Sequence, residues 1–173
     1  DEDVKRGLAA MADDPERIEN CFYKDLEFGT GGLRGELGAG SNCLNIYTIR
    51  RVTQGIADSM KHYGQKVACV SCDSRNYSEL FKETVAEVFA KNGIKTYITK
   101  ELMPTPFLSY ITRNYQADIG VMITASHNPA KYNGYKVYGD DGCLLTDNAA
   151  NELIGYIENV DPFEVTTGSL DEY

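Results

Sequence analysis

No apolar run in this chain approaches the roughly 18 residues that a membrane-spanning helix needs. Positive charge is also in deficit. The chain has 17 Lys and Arg against 26 Asp and Glu, for a net charge of −9. This balance argues against non-specific nucleic-acid binding, which depends on a positive field that displaces counterions. An anionic ligand must instead be met by a few named cations within an unfavourable average field. The acidic N-terminus lacks the basic and apolar regions of a signal peptide. With no span and no leader, a cytoplasmic location is expected. The five cysteines form no regular framework, which fits a reducing compartment. Cys69 and Cys72 have no second pair nearby to complete a zinc site, and on a strand their odd separation points them to opposite faces.

Several catalytic patterns are missing as well. In Gly29-Thr30-Gly31-Gly32-Leu33-Arg34-Gly35, a dinucleotide fingerprint starting at Gly29 requires glycine where Arg34 stands. A P-loop counted from Gly35 reaches Gly40 and then meets Ser41 in place of lysine. A serine hydrolase is disfavoured too. There is no G-x-S-x-G elbow, and the two histidines are His62, at an expected helix end, and His127, beside a serine.

What is present reads as one α/β domain of 173 residues, possessing enough chain for a real core. Residues 1–27 are helical in pattern, with Asp14 as a cap before Pro15. Phe28 to Gly40 is glycine-dense and reads as irregular. Helices are expected over about 48–63, 79–92 and 104–115, with a last one after Thr146. The second of these turns Leu80, Val85, Val88 and Phe89 inward. Strands are expected over 67–71, 94–98, 118–123 and 134–138, with Asp140-Asp141-Gly142 as a hairpin turn. This alternation implies a largely parallel sheet covered on both faces, with the strand after residue 123 antiparallel.

The most informative segment is Thr124-Ala125-Ser126-His127-Asn128-Pro129, directly after the apolar run Ile119 to Ile123. It places a hydroxyl on the loop leaving a buried strand, where α/β proteins carry out chemistry. Arg34 among glycines can bring a guanidinium and backbone N–H groups to one anion, or it is an incidental residue of a turn. Lys136 stands in an otherwise apolar strand, either as a snorkelling edge residue or as a cation aimed into a pocket. Asp73-Ser74-Arg75 follows an earlier strand, where active-site loops gather, and is read as secondary.

On these residues the chain resembles the α-D-phosphohexomutase superfamily, in its phosphoglucomutase/phosphopentomutase-like branch. The matching elements are Phe28 to Gly35, Asn45 to Arg51, Asp73-Ser74-Arg75, Thr124 to Pro129 and Tyr132-Asn133-Gly134-Tyr135-Lys136-Val137-Tyr138. The resemblance implies a three-layer α/β/α fold with a mixed, mostly parallel four-stranded core sheet. Residues 1–160 are then the first domain, 1–27 its helical extension, and 161–173 a linker toward a second domain outside this chain. The implied function is interconversion of glucose 1-phosphate and glucose 6-phosphate through a phosphoserine and a sugar bisphosphate. Phosphomannomutase, phosphopentomutase and sugar-bisphosphate synthase are alternatives, as is a non-catalytic sugar-phosphate-binding module. By the same resemblance Ser126 carries the phosphoryl group, Lys136 is a general acid/base, and Arg34 lines the reaction centre. His127, Asn128, Thr30 and Arg34 bind substrate. Mg²⁺ is implied as cofactor, linked to this chain through the phosphate on Ser126, and glucose 1,6-bisphosphate as activator. The other metal ligands and the sugar-recognition loops are implied to lie in later domains, and this domain alone is expected to be inactive.

Overall fold

The computed structural model describes residues 1–170. The chain opens with α1 (Glu2–Ala10) and α2 (Pro15–Phe22), and Asp14 caps α2 by accepting the Arg17 N–H, as expected. Next come β1 (Phe28–Gly29), β2 (Gly32–Glu36) and α3 (Ile46–His62). Helix α3 begins earlier than its apolar stripe predicts, because Asn45 and Thr48 cap each other reciprocally. The Asn45 side chain accepts the Tyr47 and Thr48 N–H groups, and the Thr48 hydroxyl accepts the Asn45 N–H.

Then follow β3 (Val67–Cys72), α4 (Ser78–Lys91), β4 (Lys95–Ile98), α5 (Thr105–Asn114), β5 (Ile119–Ile123), β6 (Tyr132–Gly139) and α6 (Asp147–Ile157). Asp140 to Gly142 form the turn that returns the chain from β6 to Leu144, which bridges Tyr138. Thr146 caps α6 by accepting the Ala149 N–H.

The strands form one sheet in the order β1-β2-β6-β5-β3-β4. Strand β3 is parallel to β4 and β5, and β6 is antiparallel to β5. The expected mixed core is therefore β4-β3-β5-β6, but the sheet has six strands, not four. Strands β2 and β1 extend it in antiparallel fashion, with β2 hydrogen-bonded along β6. They come from the glycine-dense segment expected to be irregular. Glycine weakens intrinsic strand preference. The exposed edge of β6, with a row of backbone groups to satisfy, recruits the segment anyway.

Two cores lie on opposite faces of the sheet. The larger joins Ile49, Ile56 and Met60 of α3, Phe81, Val85 and Phe89 of α4, and Leu153 of α6 to Val121, Ile123 and Tyr135. The smaller sets Leu108 and Ile111 of α5 against Cys69, Met122 and Tyr138. Cys72 belongs to the first and Cys69 to the second, as their odd separation requires. Leu80 departs from expectation. It is 39% exposed, and the buried stripe of α4 runs through Phe81 instead. Residues 161–170 lie against the helical layer. The Phe163 ring sits 5.1 Å from that of Tyr47, and the Gly168 N–H donates to the Glu87 carbonyl. Among the described residues no helix is long and apolar enough to cross a membrane.

Candidate functional site

Strand β5 is buried along its length, and burial continues through Thr124 and Ala125. Ser126 and His127 then emerge into solvent. Ser126 adopts the left-handed backbone region, with φ of 56°. For a residue with a Cβ this costs about 1–2 kcal/mol, so surrounding contacts must hold it. The sharp turn missing from the sequence as a G-x-S-x-G pattern is thus present in the backbone. The Ser126 hydroxyl is 3.3 Å from His127 Nδ1, its one side-chain partner among the described residues.

Much of the loop is tied down by Arg75, on the loop after β3. Its Nη2 donates to the carbonyls of Ser126 and Asn128, each at 2.6 Å. Its Nη1 donates to those of Pro129 and Tyr132, at 3.2 and 3.0 Å. A guanidinium has two hydrogens on each Nη. All four are therefore spent on the protein, and the remaining Nε faces Asp73 at 3.7 Å. That Nε is buried and makes no hydrogen bond, so no accessible donor of Arg75 is left for a ligand. The motif read as secondary forms the frame of the serine loop.

Arg34 is in the opposite situation. It lies on β2 opposite Gly134 of β6, and Lys136 lies opposite Gly32. Residues directly opposite share a face, so the two cations stand on one side of the sheet, diagonal to each other. That side carries Met122, which pairs with Lys136 across β5, and it is turned away from the larger core. Tyr135 and Val137 point the other way and are fully buried. Glycine is required at both intervening positions. A Cβ on Gly32 would stand 1.9 Å from the Tyr135 carbonyl, and one on Gly134 would stand 2.6 Å from that of Thr124. The two cations are thus separated by positions without side chains. Among the described residues neither cation makes a hydrogen bond or an ion pair. Gly134 also pairs with the base of the serine loop, since its carbonyl accepts the Thr124 N–H at 3.0 Å. Arg34 is therefore level with the start of that loop, and Lys136 lies two residues, roughly 6.6 Å, further down β6.

The other expected site residues divide. His127 and Asn128 are on the serine loop, and Asn128 is half-buried with its N–H donated to Ala125. Thr30 is not brought to the loop. It sits at the far end of the β1–β2 hairpin, where its hydroxyl donates to Asp147 at the start of α6. At the near end Glu36 is held between Arg17 and Lys131, at 3.0 and 3.1 Å. Burial pushes the Glu36 carboxyl up, but the hydrogen bonds from Lys131 and Arg17 outweigh it and keep it below its ordinary value. Arg34 also borders a cleft of about 470 Å³ between α2 and β2, shared with Arg17, Lys24, Glu27 and Glu36.

Among the described residues no group of three or more His, Cys, Asp or Glu is placed to hold a metal. The nearest carboxylate to the serine loop, Asp73, is engaged with Thr124, Ser78 and Arg75. These residues do not by themselves fit a Mg²⁺ site, which typically takes one or two protein carboxylates besides phosphate oxygens.

Comparison with known proteins agrees with this geometry. The profile for phosphoglucomutase/phosphomannomutase, alpha/beta/alpha domain I, matches residues 25–163. The chain is 41% identical over 147 residues to a phosphoglucomutase of Staphylococcus epidermidis RP62A, covering 84% of this chain and 27% of the relative. It is likewise 41% identical over 149 residues to a phosphoglucomutase of Staphylococcus haemolyticus, covering 85% and 27%. Among solved structures, a protein of Thermus thermophilus assigned as a phosphomannomutase superposes with a TM-score of 0.76 at 26% identity, covering 84% of this chain and 32% of that one. The chain thus spans about 27% of the length of the curated relatives it matches. It belongs to the phosphoglucomutase/phosphomannomutase family, as that family's α/β/α domain I.

Proposed function

We propose that this chain is the serine-bearing domain of a phosphoglucomutase-like enzyme that interconverts glucose 1-phosphate and glucose 6-phosphate in the cytoplasm. The observation that carries the reading is the exposed Ser126 hydroxyl on a constrained left-handed turn, beside a sheet face where Arg34 and Lys136 have no partner among the described residues. A cation without a partner in a chain of net charge −9 is suited to an anionic ligand.

In this reading Ser126 rests as its phosphate ester. A sugar-phosphate hydroxyl attacks phosphorus, the bond from phosphorus to Ser126 Oγ breaks, and a sugar bisphosphate forms. The proton of the attacking hydroxyl passes to Ser126 Oγ, with Lys136 as the acid/base that carries it. After the bisphosphate reorients, Ser126 Oγ takes the other phosphoryl group and the sugar hydroxyl recovers its proton. Arg34 offsets charge on the transferring oxygens, a kind of stabilisation that dominates phosphoryl transfer. His127 and Asn128 contact the substrate beside the serine. A Mg²⁺ would supply further charge neutralisation if bound, and this chain would meet it only through the phosphate carried on Ser126. Residues 1–160 act as the first domain, with 1–27 as its helical extension and 161–173 leading to the next. Glucose 1,6-bisphosphate primes the serine.

Intact mass spectrometry of the full-length protein after incubation with glucose 1,6-bisphosphate tests this. One phosphate adduct is expected, absent in Ser126→Ala. Full mutase activity in Ser126→Ala defeats the assignment, and binding of sugar phosphate without an adduct leaves a non-catalytic binding module.

A further inference from the structure

The left-handed turn at Ser126 is held from both sides of the residue, and both holds originate in one short loop. On the amide side, the Ser126 N–H donates to Thr124 Oγ1 at 2.9 Å, and the Thr124 hydroxyl donates onward to Asp73 Oδ2. On the carbonyl side, Arg75 Nη2 donates to the Ser126 carbonyl. Asp73 and Arg75 are themselves linked, since Asp73 Oδ1 accepts the Arg75 N–H at 3.2 Å and Oδ2 faces Nε. Asp73 is braced further by the Ser78 hydroxyl, which in turn accepts from Asn133 Nδ2 on β6. The two peptide groups flanking Ser126 are thereby tied to the end of β3, and the brace closes on the strand that carries Lys136.

The geometry points to Asp73, Thr124 and Arg75 as positioning residues that fix the backbone of Ser126, and with it the orientation of its Oγ, on the loop level with Arg34. This rests on the phosphoryl-transfer reading above. The argument is one of saturation. Thr124 is 3% exposed, and its single hydroxyl proton is committed to Asp73, so its oxygen must act as acceptor toward the Ser126 amide. Were the Asp73 carboxylate absent, the Thr124 hydroxyl could rotate to a different acceptor and the amide would lose its fixed partner. Likewise the Arg75 fork matches four carbonyls that no single ammonium can reach together. None of the three needs to touch substrate. Their effect falls on the attack geometry, where an error of about 1 Å costs roughly 100-fold.

The test uses Thr124→Val, which keeps shape and removes the hydroxyl, Thr124→Ser, which restores it, and Arg75→Lys, all in the full-length protein. For Thr124→Val and Arg75→Lys, kcat falls roughly 100-fold while KM stays within about twofold, as for an interaction made only in the transition state. Amide exchange at Ser126 accelerates about tenfold or more in the same two variants, because its acceptor or its clamp is lost. Thr124→Ser restores both readouts. The inference is overturned if Thr124→Val keeps kcat within about twofold of the parent, if the loss falls on KM instead, or if Thr124→Ser is no better than Thr124→Val. If Thr124→Val fails to fold, Arg75→Lys carries the same expectations. If Ser126→Ala retains mutase activity, the phosphoryl reading is what has failed. Unchanged Ser126 exchange in Thr124→Val then overturns the clamp separately.

Discussion

On one face of the sheet three helices bury Ile56, Val121, Ile123 and Tyr135 completely. On the other, α5 lies across β3 and β5 and reaches β6 mainly at Tyr138, so that Arg34 and Lys136 stand on the part of this face that α5 leaves open. The same strands serve both faces, and β6 shows how. Tyr135 and Val137 face the closed side, and the alternate residues Gly134 and Lys136 face the open side. Even the polar groups follow the division. The Tyr135 hydroxyl is buried but satisfied by Thr53 at 3.1 Å, and burial raises its pKa so that it stays a neutral phenol. The lysine one residue later has no partner among the described residues. One face is finished by its own chain, and the other leaves two cations without a partner among the described residues, which the proposed function assigns to a ligand.

The strongest way to break this contrast is to truncate each face and compare stability. Ile56→Ala is expected to cost about 2–5 kcal/mol in urea unfolding, whereas Arg34→Ala stays within about 0.5 kcal/mol. Equal losses would mean that Arg34 has a structural role. Activity is expected to reverse the ranking. In the full-length protein Arg34→Gln and Lys136→Met each lower kcat/KM roughly 100- to 1,000-fold, the range for removing one charge-stabilising donor. Steady-state mutase rates measure this, and near-parental rates in both variants would leave the open face without a catalytic role. A smaller effect sharpens the closed side. Tyr135→Phe is expected to cost about 1 kcal/mol in the same unfolding assay, because the Thr53 hydroxyl keeps its bond to the Ile49 carbonyl.

The smallest effect concerns Glu36, at the open end of β2. Its folded-state pKa lies below the ordinary 4.5, so its contribution is complete above that value and is lost as pH falls through the lower, folded one. Glu36→Gln should therefore lose some stability at neutral pH and show a shallower acid limb in unfolding midpoint against pH. A limb as steep as the parent's would assign acid sensitivity to other carboxylates.

Much of this fold could be read along the chain. Apolar spacing located α3 to α6, Asp14 and Thr146 announced two caps, and the run before Thr124 marked β5. What escaped has identifiable causes. The Asn45–Thr48 reciprocal cap uses Thr where Glu or Gln is the familiar signal, so α3 starts early. Strands β1 and β2 are rich in glycine, and their pairing is imposed by β6. Leu80 is one position out of phase with the stripe that buries Phe81. At the candidate site the sequence marked the serine, the two cations and the loop neighbours. It also grouped Thr30 with them, although the hairpin carries Thr30 to α6.

The sequence by itself determined that a strand ends at a small, polar serine loop and that a lysine follows on the next strand with alternating apolar neighbours. Only the tertiary structure decided that Ser126 is left-handed and that two arginines of similar local setting have opposite fates. Arg75 is consumed by four carbonyls some fifty positions along the chain, whereas Arg34 faces a bare strip of glycine. A guanidinium carries the same five donors wherever it occurs. Which of them remain for a ligand depends on acceptors brought near through space, and that proximity is a property of the folded chain.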